Sequence, residues 1–224
     1  MERLKRRGKY LIFGLDSGQS LVIHLRMTGT LSFMSKPPEG PQKQHLRLLF
    51  AFSGGNFLAF NDMRRFGRAF ILPAAEATGY WTKLGPEPLE RTFTAAKLRR
   101  LLAGSRRPVK SFLLDQSKIA GIGNIYTDET LFLAKIRPTR PANSISGSEA
   151  TRLRNSIRSV LRSAISLKGS SISTYRDAKG STGSFQNTFK VHTREGEPCP
   201  VCKTPVKKIK VGGRGPYFCP ACQQ

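Results

Sequence analysis

Along the first third of the chain, apolar residues come in short dense runs broken by turn-formers. Lys9 to Asp16 (KYLIFGLD) and Gln19 to Arg26 (QSLVIHLR) read as strands joined at Ser17-Gly18, a hairpin signal. Leu46 to Phe52 and Asn56 to Phe60 form a second pair around Ser53-Gly54-Gly55, and Phe70 to Leu72 ends a further short strand before Pro73. Ser35 to Gln44, rich in proline, is a loop between the hairpins. Successive strands without helical periodicity predict a β domain, a sandwich in architecture.

The period changes after Leu84 to Leu89 (LGPEPL), where two prolines and a glycine mark a linker. Thr94 to Ala103 predicts a short basic helix, Val109 to Leu114 a turn or two, and Asn124 to Ala134 a helix entered from a glycine pair and ended before Pro138. The clearest helix is Ser148 to Leu167. There Ala150, Leu153, Ile157, Val160, Leu161, Ala164 and Ile165 recur at steps of three and four, and Ser146 with Glu149 fits a capping box. Arg154, Arg158 and Arg162 stand one turn apart on the far face, which suits either a solvated surface or DNA contact. Lys168 to Phe185, rich in Gly, Ser and Thr, has no period and reads as a mobile loop.

Charge narrows the function. Thirty-eight Lys and Arg face fourteen Asp and Glu, a net +24. A folded chain tolerates such self-repulsion when a polyanion offsets it. Nucleic acid is the first candidate, because every neutralised phosphate releases condensed counterions. An anionic membrane surface is the second, disfavoured because the charge is spread over the whole chain. No run of eighteen apolar residues is present, so no membrane span is expected, and the opening residues do not form a secretory signal.

All four cysteines lie in the last 26 residues, as Cys199-x2-Cys202 and Cys219-x2-Cys222, separated by 16 residues. A disulfide framework would spread cysteines through the fold, so the spacing suggests a reducing compartment. Two such pairs place four thiolates around one Zn²⁺ and leave no open coordination position, which makes the ion structural. Two disulfides or a redox pair are the alternative. Lys207 to Phe218 alternates like a strand and is broken by Gly212-Gly213, so the segment predicts a zinc ribbon with Arg214 at its tip. Lys203, Lys207, Lys208, Lys210 and Arg214 leave the metal-loaded ribbon net positive, able to lie against a duplex. By itself Arg214 could equally be a solvated turn residue.

Ala120-Gly121-Ile122-Gly123-Asn124 places two glycines before a helix, where backbone N–H groups can receive a phosphate. LDQSKIAGIGNIYTDETLF, REGEPCPVC and YFCPACQ, with HLRMTGTL, NDMRRFGR and LGPEPL upstream in the same order, resemble the formamidopyrimidine-DNA glycosylase family of bacterial base-excision enzymes. The resemblance runs over essentially the whole chain. It implies an α+β fold: an antiparallel β-sandwich at residues 1–83, lacking the family's first helix and some strands, a linker at 84–93, a helix–two-turn–helix domain with a lesion-covering loop at 94–186, and the ribbon at 187–224. It implies one structural Zn²⁺, damaged double-stranded DNA as partner in a cleft between domains, a monomer, and a bacterial cytoplasmic, nucleoid-associated location.

Carried over by position, the resemblance makes Gly123, Asn124, Lys110 and Arg214 DNA-binding and Lys9 a lysine beside the lesion phosphate and sugar. Met27, Arg64 and Phe66 would fill the gap left by an everted nucleotide, offsetting part of the cost of unstacking. Read by residue type alone, Met27 and Phe66 are core residues. The loop from Ser170 to Phe185 would cover the everted base. Two departures stand out. The family's Val-Tyr-Gly-Arg reads Val191-His192-Thr193-Arg194 here, altering a base- or phosphate-facing aromatic. The family's nucleophile is an N-terminal proline followed by glutamates, whereas the sequence opens Met1-Glu2-Arg3. Lys9 is the remaining candidate amine, and an ordinary lysine is mostly protonated and a poor nucleophile. The expectation is therefore an oxidised-purine glycosylase and abasic-site lyase by family, inactive as the chain stands, with an exposed sheet edge that favours aggregation. The alternatives are a non-catalytic damaged-DNA-binding protein and an RNA-binding zinc-ribbon protein.

Overall fold

The computed structural model describes residues 3–172 and 175–224. The chain divides into two compact units, one of Met1–Trp81 with Ser166–Asn187, the other of Thr82–Ile165 with Thr188–Gln224.

The first unit is built on two antiparallel sheets. Strands β1 (Arg3–Arg7), β2 (Tyr10–Gly14), β3 (Ser20–His24) and β7 (Arg68–Leu72) form one, in the order β1-β2-β3-β7; β4 (Gly29–Met34), β6 (Phe57–Asp62) and β5 (Leu46–Ala51) form the other, in the order β4-β6-β5. Their inner faces meet through Phe13 and Ile23 from one sheet and Leu31, Leu58 and Phe60 from the other, the alternation expected of a sandwich core. Lys9 is not in a strand: it shares the two-residue turn between the paired Arg7 and Tyr10. Three elements escape the periodicity. Edge strand β1 is nearly all cationic and exposed, β4 (GTLSFM) opens on glycine and threonine with only a short apolar alternation, and helix α1 (Ala74–Thr82) contains glycine and threonine, both weak helix formers. Tyr80 and Trp81 of α1 pack edge-on against Tyr10, with ring centroids 6.0 and 5.6 Å away.

Ser166–Asn187, expected to belong with the helices, clusters instead with the sheets. The Phe33 N–H on β4 donates to the Ala178 carbonyl at 2.8 Å, so the segment borrows a sheet edge. Ser173 and Thr174 of the expected covering loop lie outside the described residues.

The second unit contains α2 (Ala95–Ala103), α3 (Val109–Leu114), α4 (Asn124–Leu133), α5 (Gly147–Ser166) and a ribbon of β8 (Lys207–Lys208) with β9 (Tyr217–Phe218). Its core joins Leu98 and Leu102, Val109, Phe112 and Leu113, Leu131, and Leu153 and Ile157. The capping box of α5 forms as expected: Ser146 N–H donates to Glu149 Oε2 at 2.9 Å, and Glu149 N–H to Ser146 Oγ at 3.3 Å. Arg140, 2.5 Å from Glu149, pulls that carboxyl down to about 2. Ile165, counted in the buried stripe from its spacing, is 65% exposed because it lies to the side of the buried line that Val160 and Ala164 continue to the end of the helix.

The supposed linker is packed. Phe93 is fully buried, Gly85 N–H donates to Gln116 O, and Ala120 N–H to Pro86 O. The arginine row on α5 explains part of this. Arg154 donates to Phe93 O at 3.0 Å, and Arg158 to Pro88 O and Glu90 O at 3.0 and 2.9 Å. Two of the three arginines thus fasten residues 88–93 to the helix.

Candidate nucleic-acid interface and metal centre

Met27 and Phe66 are 59% and 57% exposed, which excludes core packing for both. Met27 sits in the β3–β4 loop, Arg64 and Phe66 in the β6–β7 loop. The loops are joined by the Arg64 N–H donating to Thr28 Oγ1 at 3.2 Å, and the Arg64 guanidinium lies 6.0 Å from the Phe66 ring. Two loops therefore present two apolar side chains and one forked donor together.

His24 was missed by sequence reasoning, although it opens the motif HLRMTGTL. It ends β3 with 8% exposure, its Nδ1 accepting the Arg26 N–H at 3.0 Å and its ring 4.6 Å from Tyr10. Burial, reinforced by Arg26, Lys9 and Arg68, lowers its pKa to about 4. The ring is neutral at pH 7, and because Nδ1 is an acceptor the proton resides on Nε2. Exposed Lys9 contributes to the same positive field.

In the second unit, the turn before α4 is held by one amide. Gln116 Oε1 accepts the Gly121 N–H at 2.8 Å, while Nε2 donates to Leu114 O and Ile122 O, both at 3.0 Å. Gly121 has φ +89°, and Gly123 is the extended N-cap of α4 with no side-chain cap. Asn124 Oδ1 is buried without a hydrogen-bond partner. An uncapped helix start suits an incoming anion through its first backbone N–H groups, whereas the buried Asn124 Oδ1 is an acceptor and calls for a donor.

Lys110 is not on the surface. Its side chain is fully buried on α3, 2.6 Å from Asp128, whose second oxygen meets His192 Nδ1 at 2.8 Å. Burial lowers the Lys110 pKa, with Asp128 opposing. Helix α3 buries Val109, Lys110, Phe112 and Leu113 together, so the ammonium needs an internal counterion. His192 likewise faces inward, 6% exposed and edge-on to Phe189 and Tyr217, and presents no ring to a base. Neighbouring Glu129 accepts the N–H groups of Lys190, Val191 and His192 at 2.8, 3.1 and 2.9 Å. Helix α4 therefore anchors the segment leading into the ribbon.

The four cysteine Sγ atoms lie within 4.8 Å of one another, with Cys202–Cys219 at 3.4 Å and Cys199–Cys222 at 3.9 Å. Tetrahedral sulfur around Zn²⁺ needs separations of about 3.8 Å, whereas a disulfide needs about 2 Å. Val201 N–H and Cys222 N–H each donate to a cysteine sulfur at 3.4 Å, which stabilises thiolate charge on the turns. At the tip, Val211 and Arg214 exchange backbone hydrogen bonds of 2.8 and 3.0 Å around Gly212-Gly213, leaving Arg214 exposed. Gly212 rests on α3: a Cβ there would lie 2.7 Å from Ser111 Oγ.

Comparison with known proteins agrees along the chain. The formamidopyrimidine-DNA glycosylase N-terminal domain matches residues 1–69, the formamidopyrimidine-DNA glycosylase H2TH domain 84–176, and the zinc finger found in FPG and IleRS 196–224. The formamidopyrimidine-DNA glycosylase of Desulforamulus reducens is 42% identical over 225 residues, covering 100% of this chain and 80% of that protein. That of Symbiobacterium thermophilum is 44% identical, covering 98% of this chain and 72% of its own. The Lactococcus lactis Fpg bound to abasic-site DNA superposes with a TM-score of 0.90 at 41% identity, covering 99% of this chain and 81% of that one. Its G226P mutant with Fapy-dG DNA gives 0.91 at 40% identity, with the same coverage. The cysteine cluster is a structural site for one Zn²⁺. With matching domains in matching order and relatives about 40% identical over nearly the whole chain, the chain belongs to the formamidopyrimidine-DNA glycosylase family.

Proposed function

We propose that the chain grips damaged duplex DNA and serves base-excision repair of oxidised purines, with glycosylase and abasic-site lyase chemistry as its family's reaction. The observation that carries this reading is the exposed trio Met27, Arg64 and Phe66 on two cross-tied loops. Exposed apolar side chains cost free energy unless a partner covers them, and an unstacked base step is such a partner. In this reading Arg64 donates to the orphaned base, while Gly123, Asn124 and Arg214 hold phosphates. The neutral His24, with its Nε2–H, and Lys9 act on the lesion side.

Grip and chemistry are separable. Lys9 is exposed in the two-residue turn between β1 and β2, whereas a lysine amine is activated by a desolvating pocket. A polypeptide of these 224 residues is therefore expected to bind without forming a Schiff base from Lys9, which is the non-catalytic reading. The test compares duplexes with and without an abasic-site analogue. M27A and F66A each lower lesion preference about tenfold, roughly 1.4 kcal/mol, with little effect on intact duplex. Equal affinity of the wild-type protein for both duplexes overturns the reading. Borohydride with an oxidised-guanine duplex reports catalysis, and a trapped adduct removes the non-catalytic reading alone.

A further inference from the structure

Asp62 ends β6 and is 1% exposed, a carboxylate at the margin of an otherwise apolar sandwich. Burying such a group is costly unless donors surround it. Its donors are a hydroxyl and backbone amides: Thr28 Oγ1 donates to Oδ1, and Gly67 N–H to Oδ2 at 2.6 Å. Burial pushes its pKa up, but the bonds from Thr28 and from the N–H groups of Gly67, Arg64 and Phe66 outweigh it and hold the carboxyl below its usual range.

Those donors belong to the two loops that carry Met27, Arg64 and Phe66. The 25–29 loop is closed at its base by Gly29 N–H donating to Leu25 O at 3.0 Å, where a Cβ would come within 2.4 Å of that oxygen. The 62–67 loop is closed by Gly67 on Asp62 itself; a Cβ on Gly67 would meet Phe60 at 2.5 Å. Thr28 is the rivet, its hydroxyl donating to Asp62 and accepting from the Arg64 N–H. The Asp62 main chain is fixed as well, its carbonyl accepting Arg47 Nε at 2.9 Å and its N–H donating to His45 O at 2.9 Å.

We infer that Asp62 is a positioning residue for lesion reading: through Thr28 and Gly67 it fixes the spacing of Met27 against Arg64 and Phe66, so that the trio enters an unstacked step as one pre-formed unit. The inference rests on the proposed role of that trio. Pre-organisation matters because two independently moving loops would each lose conformational freedom on insertion. Asn at this position keeps the volume but turns one oxygen into a donor facing a donor.

The test uses the 224-residue protein with zinc content and thermal midpoint recorded for every variant. Lesion preference is read as the affinity ratio between abasic-analogue and intact duplex. Insertion is read by 2-aminopurine fluorescence opposite the lesion. D62N and T28V are each expected to lower the ratio about tenfold and to blunt the fluorescence rise, with intact-duplex affinity and zinc content unchanged. T28S, which keeps the hydroxyl, retains wild-type values, and D62N added to F66A costs little more than F66A alone. If D62N does not fold, T28V with T28S decides the matter. A wild-type ratio in D62N or T28V overturns the inference, as does a loss that follows intact-duplex affinity. If F66A itself leaves the ratio unchanged, the reading of the trio fails, and the positioning role falls with it.

Discussion

Thr193 adopts φ +61°, in the left-handed region that β-branched side chains rarely enter, at the position where the family resemblance places glycine. Its hydroxyl donates to the His192 carbonyl at 2.6 Å, a local bond that offsets part of the strain. T193G is expected to stabilise the protein by about 1 kcal/mol, raising the thermal midpoint by about 2–4 °C in calorimetry; a lower midpoint would show that the hydroxyl matters more than the backbone. Residue type was a poor guide at such sites. Met27 and Phe66 look like core and are exposed, while Lys110 and His192 look like contacts and are buried around Asp128. Nothing in the local sequence tells a paired buried lysine from a solvated one, because the partner lies 18 positions away.

Elements whose periodicity is their reason for existing were legible. Helices α2, α4 and α5 were expected within a residue of where they lie, since their apolar spacing and caps are local. Strand β1 was not, because an exposed cationic edge has no alternation to read, and α1 was not, because its aromatic contacts with Tyr10 do the work that propensity does not. The ribbon was legible from cysteine spacing, but its anchorage was not: Gln223 accepts the Cys219 N–H at 2.9 Å and donates to Ile136 O at 2.9 Å, and Gly212 sits on Ser111. Stripping zinc with a strong chelator is expected to weaken lesion-duplex binding about tenfold or more while far-UV circular dichroism keeps most of its helical signal, since α2 to α5 share a core of their own. Unchanged binding after verified zinc loss would separate the ribbon from the grip.

For the whole molecule, +24 was the most informative single quantity, and it makes a quantitative demand. Each phosphate neutralised by a cation contributes a slope of about −0.9 to log affinity against log salt. Titrations between low and moderate salt should therefore give R214A a slope shallower by about one unit, whereas N124A weakens binding with the slope unchanged, because an amide releases no counterion. Identical slopes for wild type and R214A would remove Arg214 from the phosphate contacts.

The division of the chain has one last consequence. The backbone passes from one unit to the other at Trp81–Thr82, returns at Ile165–Ser166 and leaves again at Asn187–Thr188. A single nick at Trp81–Thr82 cuts the covalent path from all seven sandwich strands, while residues 166–187 of the same unit remain on the other fragment. After such a nick the sandwich stays with the remaining chain through the non-covalent hold of residues 166–187, the Phe33–Ala178 hydrogen bond among them, so proteolysis there need not separate the pieces.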